Sequence, residues 1–338
     1  MPIAFVTGAT GLLGNNLVRL LLAEGWSVRA LARSQAKAKQ QFEGLPVEVV
    51  EGDLSNVRGF GQRLEGAEVL FHAAAYFRES YQGGSHWQEL HKINVQGTAE
   101  LFEAAYRAGI RRGVHTSSIA VLDGPPGSWI DETMTRREED ADDYYRSKIQ
   151  ADAAVMQFLG RHPDFWAAMV LPGWMHGPGD IGPTSAGQTV LDYLHGRLPG
   201  IIPGNFSIVD AQDVARAQLQ VLDRGRRGER YLAAGRNITV GELCELLEKV
   251  TGVASPKRKL PFALLYVVGA MEELKARLTG SKALLSLDSV RLLQREQGRT
   301  SFNHKKSVSE LGLSFRPIEE TLREEVQWYR ENGYWKGL

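Results

Sequence analysis

The sequence predicts an α/β fold: a doubly wound parallel sheet with a smaller, helix-rich C-terminal lobe. Three observations lead there. Short apolar runs alternate with helix-period segments through the first half, a Gly/Pro-dense stretch breaks that rhythm after Pro172, and the remainder reads mainly as helices. Strands alternating with helices of this length require a parallel sheet covered on both faces.

Taken in order, residues 3–7 (IAFVT) form a first strand ending at Gly8. A helical pattern follows at Leu12, Leu13, Leu17, Leu20, Leu21 and Leu22. Residues 26–32 (WSVRALA), 47–51 (VEVVE) and 69–75 (VLFHAAA) read as the next three strands. Residues 93–108 carry a helical pattern closed by Gly109, a suitable C-cap. A fifth strand at 114–117, a helix at 144–159 and a sixth strand at 166–171 complete the alternation. Residues 173–204 read as loop, His176 among them. A helix at 214–222 and a strand at 229–233 return the chain to the first domain. From about Asn237 helices dominate, ending in an amphipathic segment at 318–331. The mixed-sign run 135–143 (TRREEDADD) reads as a solvated loop or helix face, and Cys244 as a small core residue. This predicts a first domain of residues 1–172 plus about 207–235, and a lobe of about 173–206 plus 236–338.

The chain of 338 residues is long enough for two domains at roughly 100–200 residues each. Its 40 basic and 40 acidic side chains cancel, so net charge gives no general pull toward nucleic acid or anionic membrane. A single cysteine excludes an internal disulfide and a cysteine-based metal cluster, and no other group has metal-ligand spacing. No targeting segment is visible at the N-terminus. The longest apolar run, 262–271 (FALLYVVGAM), is about half of the roughly 20 residues a spanning helix needs. It reads as a buried or interfacial helix, and the protein as cytoplasmic.

The turn Gly8-Ala9-Thr10-Gly11-Leu12-Leu13-Gly14 lies between a strand and an amphipathic helix, where a Rossmann-type fold cradles a dinucleotide. Gly8 permits the tight turn, Gly11 lets backbone approach a pyrophosphate, and Gly14 lets helix and strand lie close. At the end of the second strand, an acidic residue would accept the adenosine ribose hydroxyl. Here Ala32-Arg33-Ser34 and Lys37 offer cations, which favour a 2′-phosphate and hence NADP over NAD, unless Arg33 is merely solvated. Asp53 either accepts a hydrogen bond from the adenine amino group or serves as a turn aspartate.

Tyr144 and Lys148 stand four residues apart, which puts phenol and ammonium on one helix face. A phenol near pKa ~10 is a poor acid–base catalyst at neutral pH, and a neighbouring cation would lower it. Thr116-Ser117-Ser118 closes the fifth strand at the carboxyl edge of the sheet, where open α/β folds bind ligands. A serine there can hold a substrate oxygen while the tyrosine moves its proton.

These motifs resemble the extended short-chain dehydrogenase/reductase superfamily, the NAD-dependent epimerase/dehydratase family, and within it the dihydroflavonol 4-reductase-like members. The resemblance covers nearly the whole chain. It rests on the glycine turn, Asp53, residues 72–75 (HAAA), 94–98 (NVQGT), 116–118 (TSS), the Tyr144/Lys148 pair, 177–180 (GPGD), 210–215 (DAQDVA) and the closing segment from Leu311 to Tyr329. It implies Tyr144 as general acid/base, Ser118 as the holder of the reacting oxygen, and Lys148 on the nicotinamide ribose. Ser117 is less suited, since its side chain should point to the other side of the strand end. It further implies a cofactor site of Thr7, Gly8, Thr10, Gly11, Leu12, Leu13, Gly14, Arg33, Lys37, Asp53, Leu54, Ala73, Ala74, Ala75, Asn94, Thr116, Tyr144, Lys148, Pro172 and Gly173. A homodimer through the helix at 144–159 is implied as well.

Where relatives that bind nucleotide sugars carry Arg and Asn for the diphosphate, this chain has Leu171, Trp174 and Phe206. A buried diphosphate must be paired, so these replacements point to an apolar carbonyl or alcohol substrate and an NADP-dependent oxidoreductase. The alternative is a nucleoside-diphosphate-sugar epimerase or dehydratase with tightly bound NAD. Tyr76, Phe77 and Trp87 either line the substrate entrance or cover the sheet edge, and His72 packs at a strand end beside the cofactor.

Overall fold

The computed structural model describes residues 1–77, 86–279 and 286–337. In chain order it runs β1 (Ile3–Thr7), α1 (Leu12–Ala23), β2 (Ser27–Ala32), α2 (Gln35–Gln41), β3 (Val47–Glu51), β4 (Val69–His72), α3 (Trp87–Leu90), α4 (Gly97–Arg107), β5 (Arg112–Thr116) and α5 (Asp143–Arg161). It continues with β6 (Trp166–Pro172), β7 (Trp174–His176), α6 (Ser185–Leu194), β8 (Asn205–Asp210), α7 (Ala211–Arg224), β9 (Arg230–Ala233) and β10 (Arg236–Thr239). Five helices close the chain: α8 (Val240–Thr251), α9 (Phe262–Thr279), α10 (Leu287–Arg295), α11 (Lys305–Leu311) and α12 (Ile318–Glu331).

Seven parallel strands form one sheet in the order β3-β2-β1-β4-β5-β6-β9. Strand order reverses between β1 and β4, and a crevice at such a reversal is where ligands enter open α/β sheets. The central strands β1, β4 and β6 are buried almost along their length because both faces are covered, whereas the edge strand β3 leaves Glu48 and Glu51 exposed. On one side α1 and α7 bury Leu17, Val18, Leu21, Val214 and Val221. On the other, α4 and α5 bury Leu101, Phe102, Val155 and Phe158. Phe102, Phe158 and Phe165 meet edge to face at 5.0–5.9 Å, and truncating any of them to alanine should cost about 3–5 kcal/mol. A second sheet, β10-β8-β7, carries a smaller core with α6, α8 and α12, where Tyr193, Leu243 and Tyr329 are buried.

Several elements depart from expectation. β4 stops at His72, and Ala73, Ala74 and Ala75 leave the ladder. The helix expected at 93–108 starts earlier, at Trp87, and passes through a wide π-type turn at His91–Gln96 before α4. The stretch read as loop contains β7 and the ten-residue α6, capped by Thr184 on the Gly187 amide. His176 therefore lies in a strand, fully buried, with Nδ1 2.9 Å from Glu325 Oε2. The charged run 135–143 is mostly exposed, but Arg136 turns inward, hydrogen-bonds Ala120 O and pairs with Glu296 at 2.9 Å.

Candidate active site

A cleft of about 700 Å³ runs along the carboxyl edge of the large sheet, from the glycine turn to α10. Its first wall is the turn between β1 and α1. Gly8 has φ +66°, and a Cβ there would sit 2.7–2.8 Å from the Ala73 and Ala74 backbone. A Cβ on Gly14 would collide with the Gly8 carbonyl, whereas one on Gly11 meets only that oxygen, at 3.3 Å, and otherwise open space. Gly11 caps α1 with no side-chain hydrogen bond, and the first turn holds no carboxylate. The amides of that turn thus face the cleft with positive polarity, the arrangement a pyrophosphate needs. A dinucleotide fits this cradle.

At the far end of this half, exposed Arg33 and half-buried Asp53 line the wall. Burial alone would raise the Asp53 carboxyl, but hydrogen bonds from Ser55 and the Arg33 charge hold it below its ordinary value.

The centre is built by α5 and the end of β5. Asp142 caps α5 by accepting the Tyr145 amide at 2.8 Å, which places Tyr144 in the first turn. Tyr144, half-buried, is hydrogen-bonded to Ser118 and packs on Phe77 with ring centroids 4.7 Å apart. Ser118 Oγ also accepts the Ala120 amide at 3.1 Å. One turn further, Lys148 is buried and donates to Thr116 O at 2.8 Å. The expected electrostatics are corrected here. Burial pushes the Tyr144 phenol well above its ordinary range, opposed by the Ser118 hydrogen bond, and Lys148 is not among the groups that shift it. Lys148 is itself pushed down to about 8 by burial, partly offset by Asp152.

Ser117 is buried beneath this floor and donates to Asp152 Oδ2 at 2.9 Å, so its hydroxyl is committed away from the cleft. Asp152 also pairs with Arg230 at 3.2 Å and has His115 Nε2 at 3.4 Å. His72 lies under the sheet end, its ring nitrogens 2.7 Å from Thr7 Oγ1 and 2.9 Å from Thr98 Oγ1. Burial, with His115 and Lys148, keeps it neutral.

The structure brings Ser118, Tyr144, Lys148 and most of the expected cofactor residues to one cleft, but not Thr7, Lys37 or Asn94. The Thr7 hydroxyl ties β1 to β4 through His72 and the Ala74 amide. Lys37 projects from exposed α2. The Asn94 amide is used by the Tyr76 backbone and Ser147. Tyr76 and Phe77 line the cleft; Trp87 instead lies under the Arg146 guanidinium, 4.4 Å from its ring centroid.

The other half has an apolar centre with hydroxyl and amide groups around it, among them Thr184, Thr189, Asn205, Ser289 and Thr300. Trp174 and Phe206 stack at 4.3 Å, beside Ile202 of the preceding loop and Leu292 and Leu293 of α10. Among the described residues its one charged wall group is Glu296, held by Arg136 at 2.9 Å and Arg295 at 3.0 Å. The α10 wall and Glu296 were not foreseen, for they lie over 140 residues in sequence from the tyrosine they face across the cleft. Asp152 could have been found: it continues the four-residue spacing of Tyr144 and Lys148.

A dinucleotide cradle at the switch point, with serine, tyrosine and lysine on its floor, defines an NAD(P)-dependent oxidoreductase of the extended short-chain type. Residues 4–234 match the NAD dependent epimerase/dehydratase family, and the chain belongs to it. It is 38% identical over 332 residues to sterol demethylase protein B of Methylococcus capsulatus, covering 97% of this chain and 98% of that one. A Synechocystis sp. protein named as a dihydroflavonol 4-reductase is 32% identical, with 98% and 96% covered. The crystal structure of gox2253 superposes with a TM-score of 0.82 at 30% identity, covering 99% of this chain and 100% of that one.

Proposed function

We propose that this protein is an NADP-dependent reductase acting on a carbonyl carbon of a mostly apolar substrate. The observation that carries the reading is the Trp174–Phe206 stack, with Ile202 and Leu293, where a diphosphate would need cations. The name of the Methylococcus relative points to a sterol, a substrate of that character. Arg33, with no carboxylate at residues 32–34, suits a 2′-phosphate.

Gly8, Gly11 and the first turn of α1 would hold the pyrophosphate, and Lys148 the nicotinamide ribose. A nicotinamide held there would supply the hydride for the substrate carbon. Ser118 orients the carbonyl oxygen against Tyr144. Burial keeps the Tyr144 side chain protonated at rest, so its proton is in place for an oxygen that gains charge as hydride arrives. The Ser118 hydrogen bond steadies the phenolate left behind. Trp174 and Phe206 exclude water from the reacting carbon.

Tyr144→Phe should keep NADP binding and lose about 10²–10⁴-fold in turnover. Wild-type turnover in that variant would refute the assignment. In thermal-shift measurements NADP should stabilise the protein more than NAD, and nucleotide sugars should not. Stabilisation by UDP- or dTDP-sugars, with NAD retained through purification, would instead identify an epimerase or dehydratase.

A further inference from the structure

Helix α9 breaks the rule that a surface helix turns its polar side outward. Its inner face packs Leu265 against Leu260 and Val290 in a small core of its own. Its outer face is also apolar: Val267 is 55% exposed, Met271 64% and Leu274 59%, with Ala263 and Ala270 exposed beside them. At 100° per residue these five positions fall in one stripe along the helix. A stripe of this kind on a soluble chain marks a docking surface.

The charge beside it says what docks. Lys257, Arg258 and Lys259 lie three to five residues before the start of α9, are all exposed, and none is paired with a carboxylate among the described residues. The nearby acids on α9 are already engaged, Glu272 by Lys275 at 3.5 Å and Glu273 by the Leu287 amide at 2.9 Å. The cation run is fixed in place: Ile201 and residues 258–260 exchange backbone hydrogen bonds of 2.8 and 2.9 Å. A second copy of the chain on this face would offer those cations no free carboxylate from the described part of α9, whose Glu272 and Glu273 are already engaged. An anionic bilayer surface satisfies both features, taking the apolar stripe into its acyl boundary and the cations at its headgroups. Among the described residues no helix is long and apolar enough to cross a membrane.

We propose that the outer face of α9, with Lys257, Arg258 and Lys259, seats this protein peripherally on an anionic lipid surface. The position has a functional consequence. Ile202, next to the zippered Ile201, lines the cleft, as do Leu292 and Leu293 of α10, which packs on α9. The docked helix and the apolar half of the cleft are therefore two sides of one helical hairpin. An apolar substrate leaving the bilayer would cross about one helix diameter, roughly 10 Å, to reach the site.

Vesicle flotation tests this. The full chain should float with phosphatidylcholine vesicles containing phosphatidylglycerol, and far less with phosphatidylcholine alone. Val267→Asp/Met271→Asp/Leu274→Asp should abolish flotation. Lys257→Glu/Arg258→Glu/Lys259→Glu should weaken it on the order of 100-fold, and added salt should weaken wild type. Both triple variants alter exposed side chains outside the cleft, so their melting temperatures and turnover of a water-soluble carbonyl compound should match wild type. That turnover tests the reductase reading separately. The proposal falls if wild type does not float, if the aspartate variant floats like wild type, or if light scattering shows the α9 face pairing two copies in place of lipid.

Discussion

Replacing Lys148 with methionine should inactivate the enzyme yet make the protein without cofactor more stable. Burial lowers Lys148 from an ordinary 10.5 to about 8. The difference of 2.5 units, at ~1.36 kcal/mol each, amounts to about 3 kcal/mol spent holding the ammonium in the fold at neutral pH. Methionine fills similar space without the charge, but Thr116 O loses its 2.8 Å donor, a loss of about 1–2 kcal/mol. The net gain is about 1–2 kcal/mol. With an unfolding entropy of ~2.1 cal/mol/K per residue, that raises the melting temperature by about 1–3 °C. The pH dependence separates this from generic stabilisation. Between about pH 8 and 10.5 the unfolded chain keeps the lysine proton and the folded chain has released it. The unfolded state then binds more protons, so wild-type stability climbs with pH through that window. The variant lacks that climb, and its advantage should shrink from neutral pH toward about pH 10. Urea melts of both proteins across this range measure the difference. A variant less stable than wild type at neutral pH, or a gap that does not change with pH, would show that Lys148 carries no burial cost.

The remaining expectations concern the cradle, the cofactor end and the serines. Gly11→Ala should fold normally and lose dinucleotide affinity by calorimetry, because its Cβ enters open cleft; Gly14→Ala should lower the melting temperature, because its Cβ meets the Gly8 carbonyl. Arg33→Glu should move the NADP-to-NAD affinity ratio toward NAD by about 10–100-fold, and an unchanged ratio would make Arg33 a solvated surface residue. Ser118→Ala should cut turnover about 10²-fold with little change in melting, whereas Ser117→Ala, which takes a donor from Asp152, should cost about 1 kcal/mol of stability. Equal effects of the two serine variants on turnover would remove the distinction between them.

The sheet was legible because its central strands are buried on both faces and read as short apolar runs that alternate with helix-period segments. The glycine turn was legible because each glycine answers a separate steric demand. Helix α6 was hidden for a local reason. Its apolar ridge, Val190, Leu191 and Leu194, is short, and the glycines and prolines on either side dominate the composition. Arg136 was hidden for a different one: a guanidinium within a mixed-sign run looks solvated until Glu296, 160 residues away, is seen against it. The apolar half of the cleft was half-legible. Trp174 and Phe206 stood where relatives that bind nucleotide sugars carry Asn and Arg, but the wall from α10 is set by tertiary packing and leaves no periodic trace.

One departure changes how the centre works. The spacing of Tyr144 and Lys148 suggested a lysine that lowers a phenol, and the structure places both in surroundings that penalise charge. What keeps Lys148 cationic at neutral pH is Asp152, one turn further along the same face of α5. Burial alone would raise that carboxyl, but His115, Arg230 and Lys148 hold it below its ordinary value, and Ser117 donates to it as well. A single helix face thus carries an acid at the rim, a cation below it and a counter-charge on the floor. The lysine's nearness to neutral pH follows from burial outweighing that counter-charge without cancelling it, so the centre should respond to Asp152 as well as to the residues that touch the cleft.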